Sequence, residues 1–216
     1  MDVLQIKDRR FEVNHYLLNW ERPVLIDTGT GWDVEGTLRA LSSAIPLDSL
    51  DRILLTHRHI DHIGGARGIS QACGNAPVYV SSDDSEAVAT GDPTTGAENF
   101  GISLAALEIR TFGYGETLKY PEGEIEVIHT PGHTIGSVCF FERKSQSLFS
   151  GDTVFTNGSV GRWDLPTGDA SALLGSLEAL ARLPLKNLYP GHGPFSEGDA
   201  TDHLSMGLEY LRMAEP

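Results

Sequence analysis

Six consecutive positions, His57-Arg58-His59-Ile60-Asp61-His62, hold three of the eight histidines of the chain and one carboxylate, and Gly64 and Gly65 follow after Ile63. Neutral imidazole and carboxylate are ligands for zinc and for the late first-row metals. A lone histidine is read first as a core or surface residue, but four donors packed this densely favour a metal site. Alternation along an extended chain predicts that His57, His59 and Asp61 share a face, and the glycines predict a turn that swings His62 toward a second point. A site made of this loop alone is incomplete. The fold must therefore bring further donors to the same place from distant parts of the sequence.

Those donors occur in a repeated format. EIEVIHT is followed by PGHT, with His133; SLFS by GDT, with Asp152; NLY by PGHG, with His192. An apolar strand running into a Pro/Gly loop is how a scaffold presents side chains at one edge of a sheet. Strands are expected in the N-terminal runs VLQI, FEVNHYLL and PVLIDTG, and again in DRILLTH and PVYVS. Helices are expected from Trp32 to Ala44, where Val34, Leu38 and Leu41 fall at helical intervals, and from Gly65 to Cys73, Ala170 to Leu183 and Asp202 to Met213. Strands alternating with helices in both halves predict an α/β sandwich. The segment from Ser82 to Gly115, broken by Gly91, Pro93 and Gly96, reads as a surface loop or flap, or else as a helical hairpin with no part in the site.

A 216-residue chain that is 40% hydrophobic is expected to form a single domain, 1–216. Its formal net charge of −14 opposes binding to nucleic acid or to an anionic membrane, which leaves a small molecule as the expected partner. The N-terminal MDVLQIKDRRFEV has no secretory pattern, so a cytoplasmic location is the expectation. Cys73 and Cys139 lie in apolar surroundings and are expected to be buried free thiols. His15, His129 and His203 suit structural roles better than ligation.

The motifs together resemble the metallo-β-lactamase superfamily. Its HxHxDH signature stands at His57 to His62, its later histidine, aspartate and histidine motifs are PGHT, GDT and PGHG, and an early LIDTG spans Leu25 to Gly29. The resemblance implies an αββα four-layer sandwich holding two divalent metal ions, zinc first, with iron and manganese also compatible. It assigns His57, His59 and His133 to one metal, Asp61, His62 and His192 to the other, and Asp152 as the bridge. Asp27 matches a residue that supports the ligands from behind; an ordinary turn aspartate is the alternative.

Two cations roughly 3.5–4 Å apart share a hydroxide at neutral pH, and Asp61 is expected to orient it or accept its proton. The segment TVFTNGSVGRWDLPTGD, Thr153 to Asp169, resembles the GRxDxPxGD stretch of the glyoxalase II-like branch, which implies hydrolysis of a thioester, S-lactoylglutathione or a related acyl thiol. Arg162 falls where that branch presents a cation to the thiol carrier. It is expected either to bind a substrate carboxylate or to pin its own loop through Asp164 or Asp169. Phe100, Phe112 and Tyr114 are expected to line an apolar pocket or to be ordinary core. Two other activities fit the same motifs: an iron persulfide dioxygenase using His57, His133 and Asp152, and a lactone hydrolase.

Overall fold

The computed structural model describes residues 2–8 and 11–214, and the chain divides into two compact units, Met1–Phe112 and Gly113–Pro216. In the first unit β1 (Val3–Asp8), β2 (Val13–Leu18), β3 (Val24–Ile26), β4 (Arg52–Leu54), β5 (Val78–Ser81) and β6 (Ile109–Phe112) lie side by side in chain order. The first three pair antiparallel and the last four parallel. Parallel strands are usually covered on both faces, which accounts for the uninterrupted apolar runs of β3 and β4; Val24, Leu25, Ile26, Ile53 and Leu54 are all buried.

The helices of this unit follow from short local signals. α1 (Val34–Ala44) starts where Asp33 accepts a hydrogen bond from the Gly36 amide at 3.0 Å. Its Val34, Leu38 and Leu41 pack on the core, as their spacing predicts. α2 (Ile60–Ile63) and α3 (Ala66–Ala72) are separated by Gly64 and Gly65. A Cβ on Gly64 would overlap the Thr30 carbonyl oxygen, so glycine is required there because two loops touch backbone to backbone. Gly64→Ala is expected to lower stability by about 1–3 kcal/mol, the range for forcing volume into a packed contact. Urea unfolding checks this, and an unchanged midpoint would show that the two loops part easily.

Two sequence expectations are corrected here. β4 ends at Leu54, so His57 and His59 stand beyond the strand, and His59 is the N-cap of α2. Strand alternation therefore does not aim these side chains. The Thr56 amide bonds to the Asp27 carboxylate at 2.8 Å instead of continuing a sheet ladder, and the chain bends there. The segment after β5 is not a loop or flap at its start: α4 (Ser82–Thr90) follows at once, with Asp84, Ala87 and Val88 buried, and Gly91 ends it in the left-handed region at φ 70°. Short 3-10 turns at Pro93–Thr95 and Ala97–Phe100 precede β6. A run such as DDSE reads as solvated because its sequence does not show that one of its carboxylates has a buried arginine to meet.

The second unit is a six-stranded sheet with the order β12-β11-β10-β9-β8-β7. Its strands are β7 (Thr117–Lys119), β8 (Glu124–His129), β9 (Val138–Glu142), β10 (Ser147–Gly151), β11 (Asn187–Pro190) and β12 (Ser196–Glu197). All neighbours are antiparallel except β10 and β11. α5 (Ala170–Leu180) is capped by Asp169, which accepts from the Ala172 amide at 2.7 Å. Its Leu173, Leu177 and Leu180 share a core with Leu204, Leu208 and Leu211 of α6 (Ala200–Ala214), a seam worth roughly 1.5–3 kcal/mol for each leucine fully buried.

Cys73 and Cys139 are buried free thiols, and burial pushes both up to about 11, which suits inert core residues. Among the described residues no helix is long and apolar enough to cross a membrane.

Candidate functional site

In the first unit three neighbouring parallel strands end at one edge of the sheet, and each hands over to a different part of the site. Asp27 follows β3, the His57 loop follows β4, and α4 follows β5. Asp27 sits in the left-handed region, φ 58°, a conformation that Asp tolerates better than most residues. Its amide bonds to the Leu54 carbonyl at 2.9 Å. Its carboxylate accepts three hydrogen bonds, each of 2.8 Å: from the Thr56 amide on Oδ1, and from the Thr56 hydroxyl and His62 Nδ1 on Oδ2. These contacts tie Asp27 to the loop that carries His57 and His62.

The same contacts decide which nitrogen each imidazole offers. A hydroxyl has one proton, and that of Thr56 goes to Asp27, so the 3.0 Å contact between Thr56 Oγ1 and His57 Nδ1 places a proton on His57 Nδ1. His62 likewise donates from Nδ1 to Asp27. Both rings therefore carry their lone pair on Nε2, where an imidazole can ligate a metal. Thr56 is a functional residue that sequence reasoning missed, and its place directly before His57 was the only signal available.

The donors of this loop converge. The His57 ring centroid lies 4.9 Å from that of His59 and 4.1 Å from that of His62. Asp61 Oδ2 is 3.8 Å from His62 Nε2. His57 and His62 are almost wholly buried, and Asp61 keeps 20% of its side chain exposed.

The second unit brings its three predicted donors together. Asp152 Oδ2 stands 3.6 Å from His133 Nε2 and 3.4 Å from His192 Nε2. His133 follows β8, Asp152 follows β10 and His192 follows β11, so the repeated strand-then-loop format delivers all three. The parallel pairing of β10 with β11, extended by the bond from the Gly191 amide to the Gly151 carbonyl at 2.8 Å, keeps the last two adjacent. His133 Nδ1 donates to the Arg162 carbonyl at 2.7 Å, so here too the lone pair is on Nε2. A Cβ on Gly161 would collide with the Asp152 carbonyl and stand 2.9 Å from His133 Nδ1, which leaves that position to glycine. In each unit, imidazoles that carry the lone pair on Nε2 stand beside carboxylates, a donor chemistry that fits divalent metal ions.

The guanidinium of Arg162 forms a two-pronged pair with Asp164, at 2.9 and 2.8 Å, with both side chains mostly exposed. The loop-pinning alternative for Arg162 is thus realised through Asp164, while Asp169 caps α5. Phe112 is core in β6, Phe100 packs edge-on against Phe11, and Tyr114 stacks on His129 at 3.8 Å. The remaining histidines have structural contacts. His15 Nε2 meets the Thr37 hydroxyl, and burial pushes its pKa down to about 4. His129 Nε2 meets the Ile135 carbonyl, and His203 Nδ1 accepts from the Asn157 amide.

Comparison with known proteins places the chain in a family. The pattern described as the metallo-beta-lactamase superfamily matches residues 8–192. A probable metallo-hydrolase of Methanocaldococcus jannaschii is 32% identical over an alignment of 220 positions that covers 94% of this chain and 98% of that protein. The hydroxyacylglutathione hydrolase GloC of Haemophilus influenzae is 34% identical over an alignment of 154 positions that covers 68% of this chain and 71% of its own length. The solved structure of TTHA1623 in a di-iron-bound form is 33% identical, with 97% of each chain covered and a TM-score of 0.74, so the two chains share one fold.

Proposed function

The chain belongs to the metallo-β-lactamase superfamily, and from that membership we propose that it is a metal-dependent hydrolase of thioesters, S-lactoylglutathione or a related acyl thiol. In this reading His57, His59, Asp61, His62, His133, Asp152 and His192 form one ligand set for two divalent cations, with Asp152 shared between them. The observation that carries the two-metal reading is the carboxylate of Asp152 standing between the ligating nitrogens of His133 and His192. The substrate class rests on the GRxDxPxGD-like segment and on the likeness to the hydroxyacylglutathione hydrolase of Haemophilus influenzae.

When bound, such a pair of cations supplies Lewis acidity and ionises water near neutral pH. The residues of the chain do the rest. Asp61 would help to hold a cation, and its carboxylate would orient the attacking water and take its proton. Arg162 receives a carboxylate of the thiol carrier in exchange for Asp164, since its fork is solvent-facing and geometrically suited to that group. No acid is needed for the leaving group, because a thiol with a pKa of about 8.5 departs as thiolate.

Metal analysis of the purified protein, followed by a panel of thioesters, lactones and persulfides, tests the proposal. Two equivalents per chain are expected, with thioester kcat/KM at least tenfold above that for acyl-homoserine lactones. Zinc is the expected metal, but the di-iron form of a relative makes iron the first alternative to load. One iron per chain with oxygen uptake on glutathione persulfide would assign a dioxygenase instead, and faster turnover of lactones a lactonase.

A further inference from the structure

Arg58, the residue between His57 and His59, is buried, and its partners all come from the segment that follows β5. Its Nε donates to Asp84 Oδ1 at 2.7 Å, and its amide donates to Asp84 Oδ2 at 2.9 Å. Its two terminal nitrogens donate to the Asp83 carbonyl at 2.8 Å and to the Thr94 hydroxyl at 2.9 Å. Asp84 is wholly buried on α4. One carboxylate thus holds both the main chain and the side chain of a residue that lies beyond β4 and before α2, where neither element supplies a ladder for its amide.

A buried ion pair is a weak source of stability, because desolvation offsets most of its attraction and apolar replacements often do as well. What this pair supplies is position. Neighbouring Cα atoms are about 3.8 Å apart, so a shift of the Arg58 backbone moves His57 and His59 together, and ligand constellations tolerate displacements of only about 0.5 Å. Asp84 also neutralises a guanidinium that would otherwise stand uncompensated beside residues meant to hold a cation. We propose that Asp84 is a positioning residue for the His57–His59 pair, acting through Arg58. The inference rests on the reading of those two histidines as ligands.

Cobalt binding to the full chain tests it, with affinities from chelator competition and coordination read from the visible absorption of the bound ion. Asp84→Asn removes the charge, and the double variant Arg58→Met/Asp84→Leu replaces the pair with apolar volume that the fold can accept. In each folded variant one of the two cobalt equivalents is expected to bind 10–100-fold more weakly, the usual cost of losing a partner behind a ligand, with an altered spectrum. Parental affinity and spectrum in either folded variant overturns the inference, as does collapse of both variants, which would assign the pair to folding alone. Failure of the unmutated protein to bind cobalt would be a different result, since it removes the two-metal reading itself.

Discussion

Asp152→Asn is expected to lower kcat/KM for the best thioester by on the order of 10³-fold, about 4 kcal/mol of transition-state stabilisation, and to reduce bound metal from two equivalents to one or fewer. The substitution keeps the shape of the side chain and removes its charge. The oxygen in question stands 3.6 Å from His133 Nε2 and 3.4 Å from His192 Nε2, and an amide there either offers a weak neutral oxygen or turns an NH₂ toward the two nitrogens. Both orientations remove the anion that a shared ligand must supply. The fold should survive, because β10 and β11 pair through their backbones and not through this side chain. Elemental analysis after dialysis, with kinetics at saturating metal, reads both effects. A variant that retained two equivalents and turned over within tenfold of the parent would remove Asp152 from the centre.

The proposed ligands are legible in the sequence and the residues that contact them are not, for a physical reason. A metal ligand must be His, Asp, Glu or Cys at a loop that a strand delivers, so PGHT, GDT and PGHG declare themselves within four residues each. A support has only to reach a ligand in space. Thr56, Arg58 and Asp84 carry ordinary side chains, and the bond from Asp84 to the Arg58 amide spans twenty-six positions. The aim of His57 and His59 was misjudged because alternation was applied beyond the end of β4, where a side-chain carboxylate had replaced the sheet as hydrogen-bond partner. Arg162 illustrates an ambiguity of the same kind: Asp164 and Asp169 were equal candidates from sequence, and helix capping settled the matter by engaging Asp169. The elements themselves follow from pattern, because α1, α5 and α6 each bury one apolar face at helical spacing. The weakest reading was α4, whose few buried residues include Asp84.

The second large effect is expected at a residue that touches no substrate. Asp27→Asn should weaken binding at both metal positions, each by 10–100-fold, although no ligand is altered. The reason lies in where the protons sit. In the parent, Oδ2 of Asp27 takes the Thr56 hydroxyl proton and the His62 Nδ1 proton, and Thr56 in turn accepts from His57 Nδ1. An amide NH₂ at the place of Oδ2 would donate where the carboxylate accepts. His62 would then have to accept at Nδ1, moving its own proton to Nε2, and Thr56, now accepting from the new amide, would donate to His57 Nδ1 and drive the same tautomer change there. Rotating the amide restores an acceptor at that place but sets its NH₂ against the Thr56 amide proton, which is bonded at 2.8 Å in the parent. The first orientation keeps its hydrogen bonds but moves protons onto the two Nε2 atoms, and the second costs the buried bond to the Thr56 amide, about 1–3 kcal/mol. Asparagine is the right probe because it tolerates φ 58°, whereas alanine would add left-handed strain to three abandoned donors. Nitrogen-15 shifts of the imidazoles in metal-free protein distinguish the tautomers directly. Protons on Nδ1 of His57 and His62 are expected in the parent and on Nε2 in the variant. An Asp27→Asn protein that held both metals with parental affinity, or a parent already protonated on Nε2, would break the link from Asp27 to the ligands.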